Sequence, residues 1–485
     1  MNTPSVHIGK VESLIVWIRR ELRVRDHLAL FSALRDARKI IPLYIMDEGF
    51  HASPPAKKKV LLDGLTDLRS SLRNLGGDLI IRSGDPAAVL HHALRETGAS
   101  GIYLTTEYVP DIRLRDRKIR SSVESAGKVW KQFQDQVLLE GEEILPSGRS
   151  NPYTVFTPFQ RAWKMYEPTI TPSLPRFRKI ETPRLSPGEI PDIRKIAPGA
   201  ETGAFPSGGE SAARRALKSF LNRSLPEYHQ VRDFPAHDGT SRLSHHLATG
   251  SVSIRTVYHA VRKHASSLRG LQQPGPGKFL DELLWREFYY QILAGFPHVA
   301  NGAFKNQYDR LSWSSNRRHF DAWCAGMTGY PVIDAAMRQL AREGWMHNRA
   351  RMIVASFLTK DLHVDWRKGE AFFMQHLADG DLALNNGGWQ WCAGTGTDAQ
   401  PWFRIFNPVT QSKKFDLHGE YIKKYLPELR RVPHEFIHEP RFMPPTVQKL
   451  SGCRIGRDYP APIVDHERER RVALEMYRGI QSRNT

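Results

Sequence analysis

The sequence predicts two domains of different fold class: an N-terminal α/β domain with a parallel sheet, and a C-terminal helical domain. Up to about residue 133, short β-rich runs alternate with helical runs, which is the pattern of a parallel sheet covered by helices. Beyond residue 211, apolar residues recur at helical spacing for most of the remaining chain. The chain has 485 residues, too many for one core of ordinary size, so more than one domain is expected.

The first domain, residues 1–140, alternates strands with helices in chain order. Strands are predicted at Leu14–Ile18, Ile40–Met46, Leu79–Arg82, Ile102–Thr105 and Val129–Phe133, and helices at Leu28–Arg38, Lys57–Leu75, Pro86–Glu96 and Ile112–Ala126. The loop after the first strand reads RRELRVRDH instead of G-x-G-x-x-G. The domain is therefore predicted to lack a dinucleotide-binding loop.

Residues 141–210 are predicted to connect the two domains. Prolines and glycines crowd this stretch, as in TPRLSPGEIPDIRKIAPG, and regular periodicity is lost. One island, PYTVFTPFQRAW at 152–163, is too aromatic for a solvated linker. We expect this island to pack on a domain.

The helical domain is expected over residues 211–485. Its predicted helices are Ser211–Asn222, Ile254–Ser266, Phe279–Ala294, Arg317–Ala325, Pro331–Glu343, His347–Thr359 and Trp366–Leu377. No internal repeat is evident.

The charge balance favours a polyanionic partner. Lys plus Arg number 70 against 51 Asp plus Glu, a formal net charge of +19. Nucleic acid is the leading candidate. An anionic membrane surface is the competing partner, but the sequence has no long apolar stretch and no long basic amphipathic one, so no membrane association is predicted.

Cysteine and histidine usage predicts neither disulfides nor a metal site. The 3 cysteines are far apart without a C-x-x-C pair, and the 20 histidines are scattered. The N-terminus has a short apolar run with charges on both sides and no cleavage site after it. A cytoplasmic location is therefore expected.

The segment 379–391, DGDLALNNGGWQW, combines acids, amides, paired glycines and tryptophans. Carboxylates and amides are costly to bury without partners, whereas glycines allow close approach of a ligand and indoles offer flat faces. Two interpretations stay open at this point. The segment is a loop with a Gly-Gly turn beside core tryptophans, or it binds a large polar ligand.

Three further segments carry candidate binding groups. TSRLS at 240–244 follows a glycine and precedes a predicted helix, which suits either an anion cradle or an ordinary N-cap. FLDELLWREFYY at 279–290 places Glu282, Trp285, Arg286 and Tyr289 on one helical face, either as a salt-bridged half-buried helix or as a pocket wall. GWMHNRARM at 344–352 offers amide, arginine and methionine groups that suit nucleic-acid recognition.

Taken in order, TSRLS, ELLWREFYY, TGYPVIDAAMRQL, GWMHNRARM, DGDLALNNGGWQW and TGTD-x-x-PWFRIFNP resemble the DNA photolyase and cryptochrome family. Within the family, the chain is most similar to bacterial class I cyclobutane pyrimidine dimer photolyases. The resemblance runs from about Leu14 to about His466 and is weakest in the connector.

The resemblance implies an FAD-dependent, light-driven carbon-carbon lyase of DNA repair, in which excited reduced FAD donates an electron that splits the dimer. The FAD cavity is implied at Tyr228, Thr240, Ser241, Arg242, Leu243, Ser244, Phe279, Arg286, Arg351, Asp379, Asp381 and Asn385. Asp379 and Arg351 would form a buried ion pair. Asn385 matches the position beside flavin N5, where an amide favours the anionic reduced flavin because it cannot donate a proton as an acid does.

The resemblance also implies a substrate site and an electron path. DNA containing the dimer would contact Arg232, Glu282, Trp285, Asn348, Arg349, Met352, Trp391 and Gln411, with the dimer flipped between the two indoles. Trp389, Trp366 and Trp313 match the electron-hopping chain that photoreduces the flavin. Glu282, Asn385 and these three tryptophans are the implied catalytic group.

A second chromophore and a rival function complete the expectations. Relatives carry an antenna in the α/β domain, often a folate or a deazaflavin, but Ile112 stands where folate-binding relatives have Glu. Folate, deazaflavin, another flavin or no antenna all stay open. The rivals are a cryptochrome-type blue-light receptor without repair, against which Asn385, Glu282 and the indoles argue, and a basic DNA-binding module without chemistry. A monomer is expected.

Overall fold

The structure, a computed structural model, describes residues 10–140, 144–146, 151–171, 173–175, 179–267 and 274–481. The chain begins with a parallel sheet of 5 strands in the order β3-β2-β1-β4-β5. The elements of this α/β domain are β1 Val11–Ile18, α1 Leu28–Asp36, β2 Ala37–Met46, α2 Glu48–Ala52, α3 Pro55–Asn74, β3 Ile80–Ser83, α4 Pro86–Thr97, β4 Gly101–Thr105, α5 Pro110–Ser125 and β5 Val129–Phe133.

The central strand explains why the sheet is parallel and covered on both faces. In β1 every residue from Ser13 to Ile18 is buried, as a strand between two layers of helices requires. Its neighbours β2 and β4 both pair with it in parallel. The predicted fold class is confirmed. One boundary was wrong: Arg38, expected at the end of a helix, lies in β2, which begins at Ala37.

After β5, the described part of the chain forms helices beyond residue 211, as predicted, and also two helices in the connector. Its helices are α6 Phe156–Tyr166, α7 Ile193–Ile196, α8 Glu210–Arg223, α9 Tyr228–Val231, α10 Ser244–Ala248, α11 Ile254–Ser267, α12 Pro274–Gly295, α13 Arg317–Ala325, α14 Pro331–Glu343, α15 Asn348–Lys360, α16 Trp366–Met374, α17 Leu382–Ala393, α18 Pro408–Phe415, α19 Glu420–Tyr425, α20 Pro445–Ser451 and α21 His466–Gln481. Short 3-10 turns lie at Glu167–Thr169, Thr202–Ala204, Pro297–Ala300, Asn306–Arg310, Pro427–Leu429 and Pro440–Phe442.

The connector lies against the domains instead of spanning solvent. Its aromatic island forms α6, whose buried Phe156, Phe159 and Trp163 pack with α12, so the expected packing is confirmed. Further along, Ile180 N donates to Leu75 O at 2.7 Å, which ties the connector to the end of α3.

Buried charges join the α/β domain to the helical domain. Asp26 and Asp135, in loops of the sheet domain, both accept from Arg255 of α11, at 3.2 and 2.6 Å. Arg23 also pairs with Asp135. Gly250 makes the close approach possible, because a Cβ there would lie 1.8 Å from the Arg20 carbonyl oxygen.

Among the residues described, none of the helices has both the length and the apolar composition needed to cross a membrane. The packing of α12, α15, α16 and α17 instead leaves a cavity in the helical domain.

Candidate functional site

The cavity has a volume of about 430 Å³ and opens to solvent between four helices. This volume lies in the range of ligand sites. It is lined by Arg232, Ser244, Lys278, Glu282, Trp285, Arg286, Tyr289, Asn348, Arg351, Met352, Ala355, Phe373, Leu377, Asp379, Asp381, Leu384, Asn385, Gly388, Trp389, Trp391 and Cys392.

Asp379 lines this cavity and has one carboxylate oxygen without a hydrogen-bond partner. Its Oδ2 accepts from Arg351 Nη2 at 2.8 Å, whereas Oδ1 is buried and has no hydrogen-bond partner. Burial alone would raise the pKa of Asp379, but Arg351 and the Ser244 hydroxyl lower it below its usual value. The carboxylate is thus charged, and one of its buried oxygens has no hydrogen-bond partner.

Asp381 begins α17 and ties it to the α/β domain. Its Oδ1 accepts from Leu384 N at 3.2 Å, and its Oδ2 accepts from Tyr290 OH at 2.6 Å. Arg20, at the end of β1, forms an ion pair with the same carboxylate. Burial raises the pKa of Asp381, but Arg20, the Tyr290 hydroxyl and Arg286 together lower it to about 2.

The paired glycines belong to a helix, so the interpretation of 379–391 as a loop with a Gly-Gly turn is wrong. A Cβ at Gly387 would lie 2.2 Å from the Tyr289 ring, so α12 and α17 can pack this closely only with glycine there. Gly388 lines the cavity, and no other heavy atom lies within 4 Å of where its Cβ would be. One glycine serves packing and the other leaves room for a ligand.

The two amides that precede the glycines are held from α16. Asn385 Nδ2 donates to the Glu370 carbonyl at 3.0 Å, and Asn386 Nδ2 donates to Glu370 Oε1 at 3.1 Å. Burial raises the pKa of Glu370 to about 7. Asn385 thus lines the cavity with its amide oriented by a backbone carbonyl.

Two indoles flank the cavity mouth. Trp285 of α12 is half-buried, and Phe156 of α6 covers one of its faces, with ring centroids 3.8 Å apart and planes 4° from parallel. Trp391 lies on α17, also half-buried. Each indole can therefore offer a flat surface to a planar ligand.

A row of alternating charges crosses the mouth. Glu282 pairs with Arg232 and lies 3.7 Å from Lys278 Nζ. Asp233 lies 2.9 Å from Arg349 Nη2 and 3.8 Å from Arg232 Nε. We call these five residues the mouth ion chain.

The structure gathers most of the predicted site residues around this one cavity. The predicted residues that line it are Arg232, Ser244, Glu282, Trp285, Arg286, Asn348, Arg351, Met352, Asp379, Asp381, Asn385, Trp389 and Trp391. Arg349 lies beside it in the mouth ion chain, and its guanidinium is 4.4 Å from the Phe415 ring of α18, the helix that carries Gln411.

Several predicted cofactor residues do not line the cavity. Tyr228, Leu243 and Phe279 are buried in one apolar cluster behind it. Arg242, at φ 51°, stacks on Trp345 at 3.5 Å. Thr240 and Ser241 also lie outside the lining, and the Ser241 hydroxyl accepts from Leu243 N at 3.3 Å, as in a local turn.

The three predicted electron-path tryptophans share one core cluster. Trp366 and Trp389 are buried in it, and Trp313 packs against it half-buried.

Sequence reasoning missed several lining residues, namely Lys278, Ala355, Phe373, Leu377, Leu384 and Cys392. Most of these are apolar residues at helical spacing, which look the same in a cavity wall as in a core. It also missed Arg20 behind Asp381. The basic RRELR loop at the carboxyl end of β1 was the available signal, because ligand sites gather at that edge of a parallel sheet.

Comparisons with known families agree with this geometry. Residues 14–176 match the family described as DNA photolyase, and residues 279–479 match the family described as FAD binding domain of DNA photolyase. A curated protein of Agrobacterium fabrum (strain C58), named deoxyribodipyrimidine photo-lyase, is 38% identical over 478 residues, which is 97% of this chain and 99% of that protein.

Solved structures are similar over the whole chain. A bacterial class III photolyase from Agrobacterium tumefaciens has a TM-score of 0.91 at 37% identity, covering 99% of this chain and 100% of that one. A Synechocystis cryptochrome has a TM-score of 0.89 at 28% identity, with 97% and 100% covered. An archaeal photolyase from Sulfolobus tokodaii with two FAD molecules has a TM-score of 0.81 at 30% identity, with 96% and 100% covered.

A parallel α/β domain docked on a helical domain, with a cavity lined by two indoles and several charged groups, together with the family match over residues 279–479, defines a flavin-binding protein of two domains. The chain belongs to the DNA photolyase and cryptochrome family. Its assignment to class I within that family stays a prediction.

The residues that line the cavity fit FAD. The Asp379 carboxylate can act as an acceptor, the Arg286 and Arg351 side chains offer positive charge to a pyrophosphate, and the space at Gly388 admits a flat ring. This fit agrees with the family match over residues 279–479.

Proposed function

We propose that this protein splits cyclobutane pyrimidine dimers in DNA under blue light, with FAD as its cofactor. The observation that carries the proposal is the cavity itself: an orphaned buried carboxylate oxygen in its wall, two indoles at its mouth, and arginines around the mouth. The full-length relative named deoxyribodipyrimidine photo-lyase supports the same reaction. The net charge of +19 supports DNA as the partner.

We assign FAD binding to the cavity wall and to the cluster behind it. Arg286, Arg351, Asp379, Asp381, Asn385 and Ser244 would contact the cofactor. Tyr228, Leu243 and Phe279 would hold the wall from behind, while Thr240, Ser241 and Arg242 would order the turn before α10. The chemistry that FAD supplies when bound is light-driven electron donation to the dimer.

The substrate would enter at the mouth. Trp285 can stack on a dimer with its open face, because Phe156 covers the other, and Trp391 provides the second wall. Each stack is expected to contribute about 1–3 kcal/mol by analogy with base–aromatic stacking. Glu282 and Asn348 can hydrogen-bond base edges, and Met352 fills the apolar gap between them. Arg232, Arg349 and Gln411 would contact the DNA backbone.

Photoreduction of the flavin is assigned to Trp389, Trp366 and Trp313. Their membership of one core cluster supports this assignment, because Trp389 lines the cavity and Trp313 lies nearer to solvent.

The decisive experiment is repair of a thymine-dimer oligonucleotide by the purified reduced protein, under blue light and in darkness. Restoration in light alone supports the proposal, and absence of restoration in light contradicts it. Glu282→Ala should lower repair per absorbed photon while FAD stays bound. Asp281→Asn is the matched control, since Asp281 accepts from Gln160 at 2.6 Å outside the cavity.

A cryptochrome-type receptor without repair is the second candidate, and the Synechocystis structure makes it specific. This candidate would be favoured if repair in blue light were no faster than repair in darkness while photoreduction of the flavin was normal.

We further propose a monomer acting in the cytoplasm, which suits the three free cysteines. The antenna is assigned no identity. Among the open candidates, another flavin gains support from the archaeal photolyase with two FAD molecules.

A further inference from the structure

The mouth ion chain contains the two arginines that are assigned to contact the DNA backbone. Its three cations and two carboxylates alternate in the order Lys278, Glu282, Arg232, Asp233 and Arg349. Arg232 and Arg349 are the arginines assigned to the DNA backbone in the proposed function. Both lie against the carboxylate of one residue, Asp233.

The Asp233 carboxylate lies where it can compete with a DNA phosphate for Arg232 and Arg349. Its oxygens accept from guanidinium groups as phosphate oxygens do, and it carries the same sign of charge. Its side chain is 34% exposed, so it can turn into solvent when another anion arrives. Arg349 Nε is buried without a partner, so the guanidinium is incompletely satisfied before DNA binds.

We propose that Asp233 is a specificity-determining residue that competes with DNA phosphates for Arg232 and Arg349, and that it weakens binding of undamaged DNA more than binding of dimer-containing DNA. The proposal rests on the proposed function. Undamaged DNA offers phosphates alone, so all of the affinity that it gains from Arg232 and Arg349 depends on displacing Asp233.

Dimer-containing DNA depends less on that displacement. Its bases stack on the two indoles, and Glu282 turns from Arg232 to a base edge. Arg232 then has room for a phosphate and Asp233 together. Asp233 therefore weakens the binding of undamaged DNA more than the binding of dimer-containing DNA. A group that disfavours the competing ligand in this way increases specificity.

The test compares Asp233→Asn with the wild-type protein on one duplex with and without a single thymine dimer, by equilibrium binding in darkness over a range of salt. An exposed ion pair changes an equilibrium constant by a factor of up to about five. We expect Asp233→Asn to bind the undamaged duplex about fivefold more tightly, with a smaller gain on the dimer duplex. The ratio of the two affinities should fall about threefold or more.

The salt dependence provides a second readout. Freeing one arginine for phosphate should steepen the slope of log affinity against log salt by about one ion on undamaged DNA. Asp238→Asn is the matched control, because Asp238 is an exposed carboxylate of the same segment that lies 3.5 Å from Arg242 outside the cavity lining. The flavin absorption spectrum checks that each variant is folded.

An unchanged affinity ratio in Asp233→Asn overturns the proposal. An equal change in Asp238→Asn overturns it as well, since the effect would then come from net charge alone. If the wild-type protein itself fails to prefer the dimer duplex and fails to repair it in light, the proposed function has failed, and the inference fails with it.

Discussion

Arg20→Ala tests whether the α/β domain stabilises the flavin cavity. Arg20 belongs to the sheet domain, yet its guanidinium pairs with Asp381, 361 residues further along the chain. The Asp381 side chain is 2% exposed and that of Arg20 is 23% exposed. Removing one partner of a fully buried pair costs about 3–5 kcal/mol, so a partly exposed partner should cost less.

The pKa of Asp381 provides a second order-of-magnitude figure. A carboxyl whose pKa falls from 3.8 to about 2 on folding adds about 2.5 kcal/mol of stability at neutral pH. This stability is present above pH 3.8 and is lost as the pH falls toward 2. Tyr290 and Arg286 supply part of it, so we expect Arg20→Ala to lower the free energy of unfolding by about 2 kcal/mol at pH 7.

Two measurements check this value. Urea unfolding at pH 7 should show the decrease in the free energy of unfolding. The fluorescence of released FAD should show that the variant binds FAD about tenfold more weakly, since Asp381 lines the cavity. Arg113→Ala is the control, because Arg113 also reaches the helical domain, where its Nη1 lies 3.5 Å from the Ala294 carbonyl, but it is exposed. The reasoning is refuted if Arg20→Ala unfolds and releases FAD as Arg113→Ala does.

The remaining predictions concern Glu370 and the electron path. Glu370→Gln should remove a pH-dependent loss of stability. The pKa of Glu370 rises on folding from 4.5 to about 7, so the free energy of unfolding of the wild-type protein falls by up to about 3 kcal/mol as the pH rises from about 5 to 7. Thermal unfolding of the variant over this pH range should lack that decrease. Trp313→Phe should block photoreduction of oxidised flavin yet spare repair by chemically reduced protein, as followed by flavin absorbance. Trp130→Phe, a remote indole of the sheet domain, should behave as wild type, and equal photoreduction rates in all three proteins would remove Trp313 from the path.

Much of the fold follows from local sequence pattern. The continuous apolar run of β1 predicts a strand buried on both faces, and the helices of the second half follow from their apolar spacing. The mixed composition of 379–391 indicates a ligand wall as one of two interpretations, because its carboxylates and amides would be costly in an ordinary core. These patterns are local, so no partner from elsewhere in the chain is needed to interpret them.

The parts that sequence could not show depend on long-range contacts. No local pattern pairs Arg20 with Asp381, or places Phe156 on Trp285. Of Thr240–Ser244, only Ser244 lines the cavity, and the roles of all five residues toward FAD stay predictions. The left-handed backbone at Arg242 turns that side chain onto Trp345, and spacing along the chain does not predict this turn.

The stack of Phe156 on Trp285 joins the connector to the cavity wall, because Trp285 lines the cavity. A substitution that shifts α6 would also change the support of the Trp285 indole. If Trp285 stacks on the dimer as proposed, a chimera that exchanges only this connector between relatives should change dimer affinity without altering any residue assigned to DNA contact.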